Sequence, residues 1–339
     1  MTRFYALLTV ALVVGCSAPR WERHEQLRPL MGTEFRLVMY AEDAEQATRA
    51  ADAAWARMSA VEELMSDYIG QSELSRLSAV SREHEPPVSV AVSEELFSVL
   101  LAARGVWELS GGAFDVTVGP CVRLWRRAAR RGEPPDEERL SAARAASGQE
   151  KLRLHAEGRR VELLASDMRL DLGGIAKGYA LDQALAVLAR HGIERALVDG
   201  GGDLRLGEPP PGEDGWLVAV EGDPHGRRAA RCGVATSGQS GRSFTWEGLR
   251  FSHVVDPRTG VGLTHEVAVT VIADTAMAAD ALASAASVLG AGPGIAWIEG
   301  LEGVEAQFRT PRPQPGQKAA GAPCETSGYG MRMRPDAQP

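Results

Sequence analysis

Asp171-Leu172-Gly173-Gly174-Ile175-Ala176-Lys177-Gly178-Tyr179-Ala180-Leu181-Asp182 crowds two carboxylates, a lysine and paired glycines into the point where a strand is expected to turn into a helix. Met168-Arg169-Leu170 ends a polar/apolar strand pattern, and residues 179–189 carry an apolar helical stripe stopped by Gly192. Glycine lets ligand oxygens approach the backbone, and the first N–H groups of a helix favour an anion. Lys177 adds a full positive charge to a bound phosphate. Such a turn suits phosphate or metal, although a tight structural turn with a solvated lysine has the same composition.

Outward from this turn, the pattern alternates between helix and strand. Residues 32–40 alternate as a strand. Ala47, Ala51, Ala54, Met58, Val61 and Met65 recur at spacings of three and four, giving one buried stripe on a helix over 43–65. A second helix follows Ser93, with Leu96, Leu100, Ala103 and Trp107 inward and Gly111-Gly112 ending it. Residues 126–146 are charged and Ala-rich, and read as helical with an exposed turn at Pro134-Pro135. Short runs at 152–155, 161–164, 196–199, 216–221 and 267–272 read as strands. Asp274 or Thr275 can cap a helix over 276–289 that Gly290 stops. Helices in blocks among short strands point to an α+β fold, with mixed or antiparallel sheets and packed helices, rather than a regular βαβ array.

The two ends of the chain differ from the middle. Residues 1–15 read as a signal peptide: Arg3 gives a positive start, 4–14 an apolar run too short for a stable membrane span, and Val13-Val14-Gly15-Cys16 a processing site. Small residues before a cysteine resemble the bacterial lipobox. That implies lipidation of Cys16 and a place in the bacterial cell envelope, on the outer side of the cytoplasmic membrane. Residues 16–29 look like a polar tether, and 310–339, rich in Pro, Gly, Gln and Arg, like a disordered tail.

Between them, residues 30–309 are expected to form one catalytic unit, with a division into two lobes left open. The net charge of -8 argues against nucleic acid as a partner, which needs a basic surface. An acidic chain that binds an anionic ligand must use local donors or a divalent cation. Beyond Cys16 the cysteines are Cys121, Cys232 and Cys324, an odd number without metal-type spacing, so zinc and a disulfide framework are not expected, while one disulfide with one thiol left over stays open.

Asp280 and Ser284 stand four apart on the 276–289 helix, so both oxygens share one face, where they could hold a hard cation such as Mg²⁺. An exposed Asp with a serine packed among alanines is the plain alternative. Ser252-His253-Val254-Val255-Asp256-Pro257-Arg258-Thr259-Gly260 sets a histidine just before a turn whose Asp and Pro are good turn chemistry. His253 could serve as base for a hydroxyl nucleophile. Phe114 beside Asp115 could stack on and hydrogen-bond to a heteroaromatic ring, or be a core aromatic beside a turn carboxylate.

Taken in order, these pieces resemble the ApbE-type FAD:protein FMN transferases, over about Met31 to Phe308. The matching blocks are Met31-Gly32-Thr33, Met65-Ser66-Asp67-Tyr68 with Ser72-Glu73-Leu74-Ser75-Arg76-Leu77, Phe114-Asp115-Val116-Thr117-Val118-Gly119-Pro120, the Asp171 to Tyr179 stretch, Val198-Asp199-Gly200-Gly201-Gly202-Asp203, the His253 to Gly260 stretch, and Ala279-Asp280-Ala281-Leu282. The resemblance implies an architecture similar to T-fold proteins. It also implies a Mg²⁺-dependent enzyme, with Mn²⁺ as the alternative cation. Such an enzyme splits FAD and places FMN on a Thr or Ser of an exported or membrane redox protein, releasing AMP. By block, it assigns Met31, Tyr68, Ala113, Phe114, Asp115, Asp171, Lys177 and Val255 to the FAD site. Gly174, Asp280, Ala283 and Ser284 fall to the metal, with Asp280 and His253 as catalytic residues.

Three places depart from the family pattern. Ser284 stands where threonine is common, and Ala283 where an oxygen-bearing side chain is common, so Ala283 could offer only its carbonyl. Gln239-Ser240-Gly241-Arg242 follows a block after which an aromatic is usual. Two other functions share the same site: a FAD pyrophosphatase releasing free FMN and AMP, and a non-catalytic FAD-binding lipoprotein.

Overall fold

Alternation in the segment Thr33–Ala41 sends Phe35, Leu37 and Met39 to one face and Val38 to the other, and both faces are buried. The computed structural model describes residues 21–220, 223–238, 243–252, 254–309 and 323–335. Around this strand an eight-stranded antiparallel sheet is built. Its spatial order is Glu22–Leu30, Thr33–Ala41, Ala196–Gly200, Leu204–Leu206, Gly233–Ser237, Ala268–Ala273, Glu305–Arg309 and Cys324–Glu325. The α+β class with antiparallel sheets is as expected from the sequence.

The helices are α1 (Ala44–Met65), α2 (Glu73–Glu83), α3 (Glu94–Leu109), α4 (Gly119–Arg131), α5 (Glu137–Ala145), α6 (Ala176–Arg190) and α7 (Ala276–Leu289). Side-chain oxygens of Asp43, Ser72, Ser93 and Thr275 accept from backbone N–H groups in the first turns of α1, α2, α3 and α7. The buried stripe of α1 packs with Ala180, Leu181 and Ala184 of α6 against Phe35, Leu37 and Met39 in the largest core cluster. The opposite face of the sheet meets Trp216 and Val218 of a second sheet, which pairs Trp216–Val220, Asp223–Ala229 and Arg334–Pro335.

Four sequence expectations are corrected. The tether assigned to 16–29 ends where Glu22–Leu30 begins a nine-residue edge strand paired with Thr33–Ala41. It reads as polar because this edge strand is only half-covered, with Gln26 and Arg28 meeting Trp55 of the first helix, and its exposed positions tolerate charged side chains, which also discourage pairing with other chains. The hairpin turns on Met31-Gly32, both at positive φ (49° and 75°), a pairing that suits the strand twist. Residues 1–20, with the signal peptide and Cys16, lie outside the described residues.

The tail assigned to 310–339 is revised at its far end. Tyr329 is fully buried in a short helical turn (Tyr329–Arg332) and Met333 is buried beside it, both in the cluster containing Val38 and Trp216. Composition hid this, since only two large apolar residues carry the segment into that cluster. Finally, 168–170 is no regular strand: its backbone makes one parallel bridge, Arg169 to Val118, and Leu170 N–H donates to Ser78 Oγ (3.0 Å). The helix expected over 126–146 starts earlier, at Gly119-Pro120, while the turn expected at Pro134-Pro135 does separate α4 from α5.

Candidate active site

Helices α6 and α7 touch at a glycine. A Cβ on Gly178 would fall 2.2 Å from the Ala276 carbonyl oxygen, so only glycine allows this approach. Asp182, one turn on, accepts from Ala276 N–H and Met277 N–H (both 2.9 Å) and pairs with Arg205 (2.9 Å). One α6 carboxylate thereby caps the positive end of α7. The junction places Lys177 and Asp280 side by side. Asp280 Oδ2 accepts from Gly178 N–H (3.2 Å), and Lys177 is ion-paired with Asp203.

These charges are buried and set one another. Burial pushes the Asp280 carboxyl up, to about 7, with Lys177 pulling it down and Asp203 adding to the rise. Burial works to lower the Lys177 ammonium, but Asp280 and Asp203 together carry it above its ordinary value, so it stays charged. The sequence alternative of an exposed Asp280 does not hold, since the residue is 6% exposed.

A second group closes the other side. Arg126 of α4 bridges Asp67 (2.6 Å) and Asp171 (2.8 Å), and its guanidinium lies 4.7 Å from the centre of the Tyr68 ring. Asp171 also accepts from Gly173 N–H (2.8 Å), which fixes the paired-glycine turn; burial raises its pKa against the pull of Arg126. Asp115 binds Thr117 N–H (2.8 Å), the Thr117 hydroxyl (2.7 Å) and Gln149 N–H (3.0 Å), so it shapes the loop behind Phe114. Burial raises this carboxyl too.

Between these groups lies a cavity of about 330 Å³ lined by Ala113, Phe114, Asp115, Asp171 and Val255. Gly174, Lys177, Asp280 and Ser284 line the same cavity. A neighbouring cavity of about 510 Å³ is lined by Met31 and Tyr68, and the two share Arg126, Gly173 and Lys177. All eight residues assigned to the FAD site thus border one or other of two adjoining cavities that share three wall residues. Of the four assigned to a metal, Gly174, Asp280 and Ser284 border the first of them, while the Ala283 side chain is packed in the apolar cluster with Val269 and Phe308. His253 and residues 239–242 lie outside the described residues.

The oxygen set fits a hard cation. A Cβ on Gly174 would come 2.7 Å from Ser284 Oγ, so the glycine turn is pressed against the α7 face that carries Asp280 and Ser284. Among the described residues no cluster of three or more His, Cys, Asp or Glu side chains exists that could hold a soft or fully caged metal. One carboxylate, one hydroxyl and backbone carbonyls suit Mg²⁺, which completes its shell with water and phosphate.

Residues 31–308 match the ApbE family. The chain belongs to this family. It is 33% identical over 307 residues to a Vibrio cholerae FAD:protein FMN transferase, covering 87% of this chain and 89% of that protein. It is 30% identical to the Escherichia coli K12 FAD:protein FMN transferase, with 77% and 76% covered. The apo crystal structure of Pseudomonas stutzeri flavinyl transferase ApbE superimposes with a TM-score of 0.79 at 28% identity, covering 92% of this chain and 97% of that one. Sequence reasoning passed over three residues of this cleft: Arg126, Asp67 and Asp203. Asp67 and Asp203 sat inside matched blocks, whereas Arg126 was one arginine among many in α4.

Proposed function

We propose that this chain transfers the FMN half of FAD to a Thr or Ser hydroxyl of an exported or membrane redox protein and releases AMP. The observation that carries the reading is the convergence of Lys177, Asp280, Ser284 and Gly174 on one end of a cleft whose walls include Phe114 and Tyr68. A pyrophosphate needs positive charge and oxygen-bound cation; an isoalloxazine or adenine needs flat, partly apolar walls. The names of the similar proteins support it.

In this mechanism Lys177, held by Asp203, neutralises charge on the pyrophosphate oxygens as the phosphorus–oxygen bond to AMP breaks. The acceptor hydroxyl oxygen forms the new bond to the FMN phosphorus, the bridging oxygen leaves with AMP, and the hydroxyl proton passes to His253 as general base. Asp280, Ser284 and the Gly174 carbonyl would hold Mg²⁺, or Mn²⁺ in its place, which supplies further charge neutralisation at the phosphates. Gly173 and Asp171 keep the turn rigid and Arg126 anchors the Tyr68 side of the cleft. Lipidation of Cys16 would hold the enzyme on the outer side of the cytoplasmic membrane, where its acceptors are. No described helix is long and apolar enough to cross a membrane.

AMP release from FAD should require Mg²⁺, stop with EDTA and return on re-addition of the cation. Metal-independent release, or FAD bound without any release, would contradict the proposal.

A further inference from the structure

Helices α2, α4 and α5 line a further concavity, a cleft of about 670 Å³. Arg82 of α2 and Arg123, Arg127, Arg130 and Arg131 of α4 line it, and all five are exposed. None has a hydrogen-bond or ion-pair partner among the described residues, and the one carboxylate on the wall is Asp167. Leu124, Ala143 and Met168 give the wall apolar surface.

Helix-end electrostatics explain part of this pattern. Arg82, Arg130 and Arg131 occupy last turns, where cations are favourable. Arg123 and Arg127 do not, and with Arg131 they repeat at i, i+4, a spacing at which like charges destabilise a helix. In a chain of net charge -8 such a concentration is local and uncompensated. It borders the active site through shared elements. Arg126 on the next face of α4 anchors Asp67 and Asp171, and Arg169, on the wall of the arginine cleft, also reaches Asp67 (3.5 Å).

We propose that this cleft docks an acidic stretch of the acceptor protein and holds the acceptor beside the FAD site; the proposal rests on the transferase reading. Guanidinium forks bind carboxylates bidentately, and a localised positive field steers an acidic partner. A concave site with apolar surface fits acidic and apolar side chains of a polypeptide. A flat anionic membrane would reach only its rim.

The test uses the full chain and its Arg123→Gln/Arg127→Gln variant, with Arg123→Lys/Arg127→Lys as the charge-preserving control. The binding probe is a fluorescein-labelled twelve-residue peptide of Glu, Asp and Leu, read by anisotropy at low and high salt. The expected result is wild-type binding that weakens with salt and falls at least tenfold in the Gln variant, with the Lys variant largely restored. For a redox protein shown by intact mass to gain FMN, the acceptor KM should rise at least tenfold in the Gln variant. Its kcat and its acceptor-free AMP release should not change. No peptide binding by the wild type, or an unchanged acceptor KM, overturns the proposal. Loss of binding to phosphatidylglycerol vesicles with acceptor KM unchanged overturns it in favour of a membrane contact. If peptide binding holds but no protein gains FMN, the failure lies in the transferase reading, and the acceptor assignment falls with it.

Discussion

Gly178 is a residue of the site at which one added carbon would be costly. Its Cβ would overlap the Ala276 carbonyl oxygen and sit 2.6 Å from Met277 N, backbone atoms that cannot swing aside. Gly178→Ala is therefore expected to cost about 1–3 kcal/mol or more, measured by urea unfolding, and to reduce AMP release by separating Lys177 from Asp280. Asp280→Asn keeps an acceptor for Gly178 N–H and removes only the charge. It should lower cation-dependent AMP release on the order of 100-fold while moving Tm by a few degrees at most. Unchanged turnover would remove Asp280 from the phosphate end of the cleft. Asp280, Ser284 and Lys177 were legible in the sequence because helical spacing and a glycine turn announce them. Asp203 and Arg126 were not, because what makes them matter is a partner far away in the chain: Lys177 for one, Asp67 and Asp171 for the other.

At the scale of elements, α7 depends on a carboxylate that belongs to α6. Asp182→Ala removes two bonds to the α7 N-terminus and strands Arg205, so a loss of about 1–2 kcal/mol is expected from denaturant unfolding. Unaltered stability would mean that the Thr275 cap suffices. The C-terminal segment makes a comparable claim. Cys232 lies in the cluster that Tyr329 and Met333 close, and burial pushes its thiol up to about 11. Below that pH the thiol stays protonated, so Cys232 should resist iodoacetamide at pH 8. Deleting residues 310–339 should make it reactive by peptide mapping and cost on the order of 3 kcal/mol or more through two lost side chains. Amphipathic helices such as α1 and α7 could be read directly, since a one-sided stripe and a cap determine them. The edge strand Glu22–Leu30 and the returning C-terminus could not, because the first is held by backbone pairing and the second by two-residue strand pairings and two buried side chains.

For the whole molecule, the sheet serves as a frame that brings four distant stretches to one cleft: the Met31-Gly32 turn, the Tyr68 loop, the glycine turn before α6 and the outer face of α7. In the proposed reading, the glycine turn and α7 would supply oxygen donors for a cation, while Met31 and Tyr68, with Phe114, would wall the flat rings. An acidic chain thus handles an anionic substrate by concentrating its positive charge locally, as Lys177 and Arg126 inside the cleft. The measurement that bears most directly on this account is intact mass and peptide mapping of a candidate exported redox protein after incubation with the full chain, FAD and Mg²⁺, alongside AMP quantification. The account predicts one FMN joined to a Thr or Ser with loss of water, and one AMP for each. AMP released with the acceptor's mass unchanged across candidate acceptors would contradict transfer and leave a hydrolase.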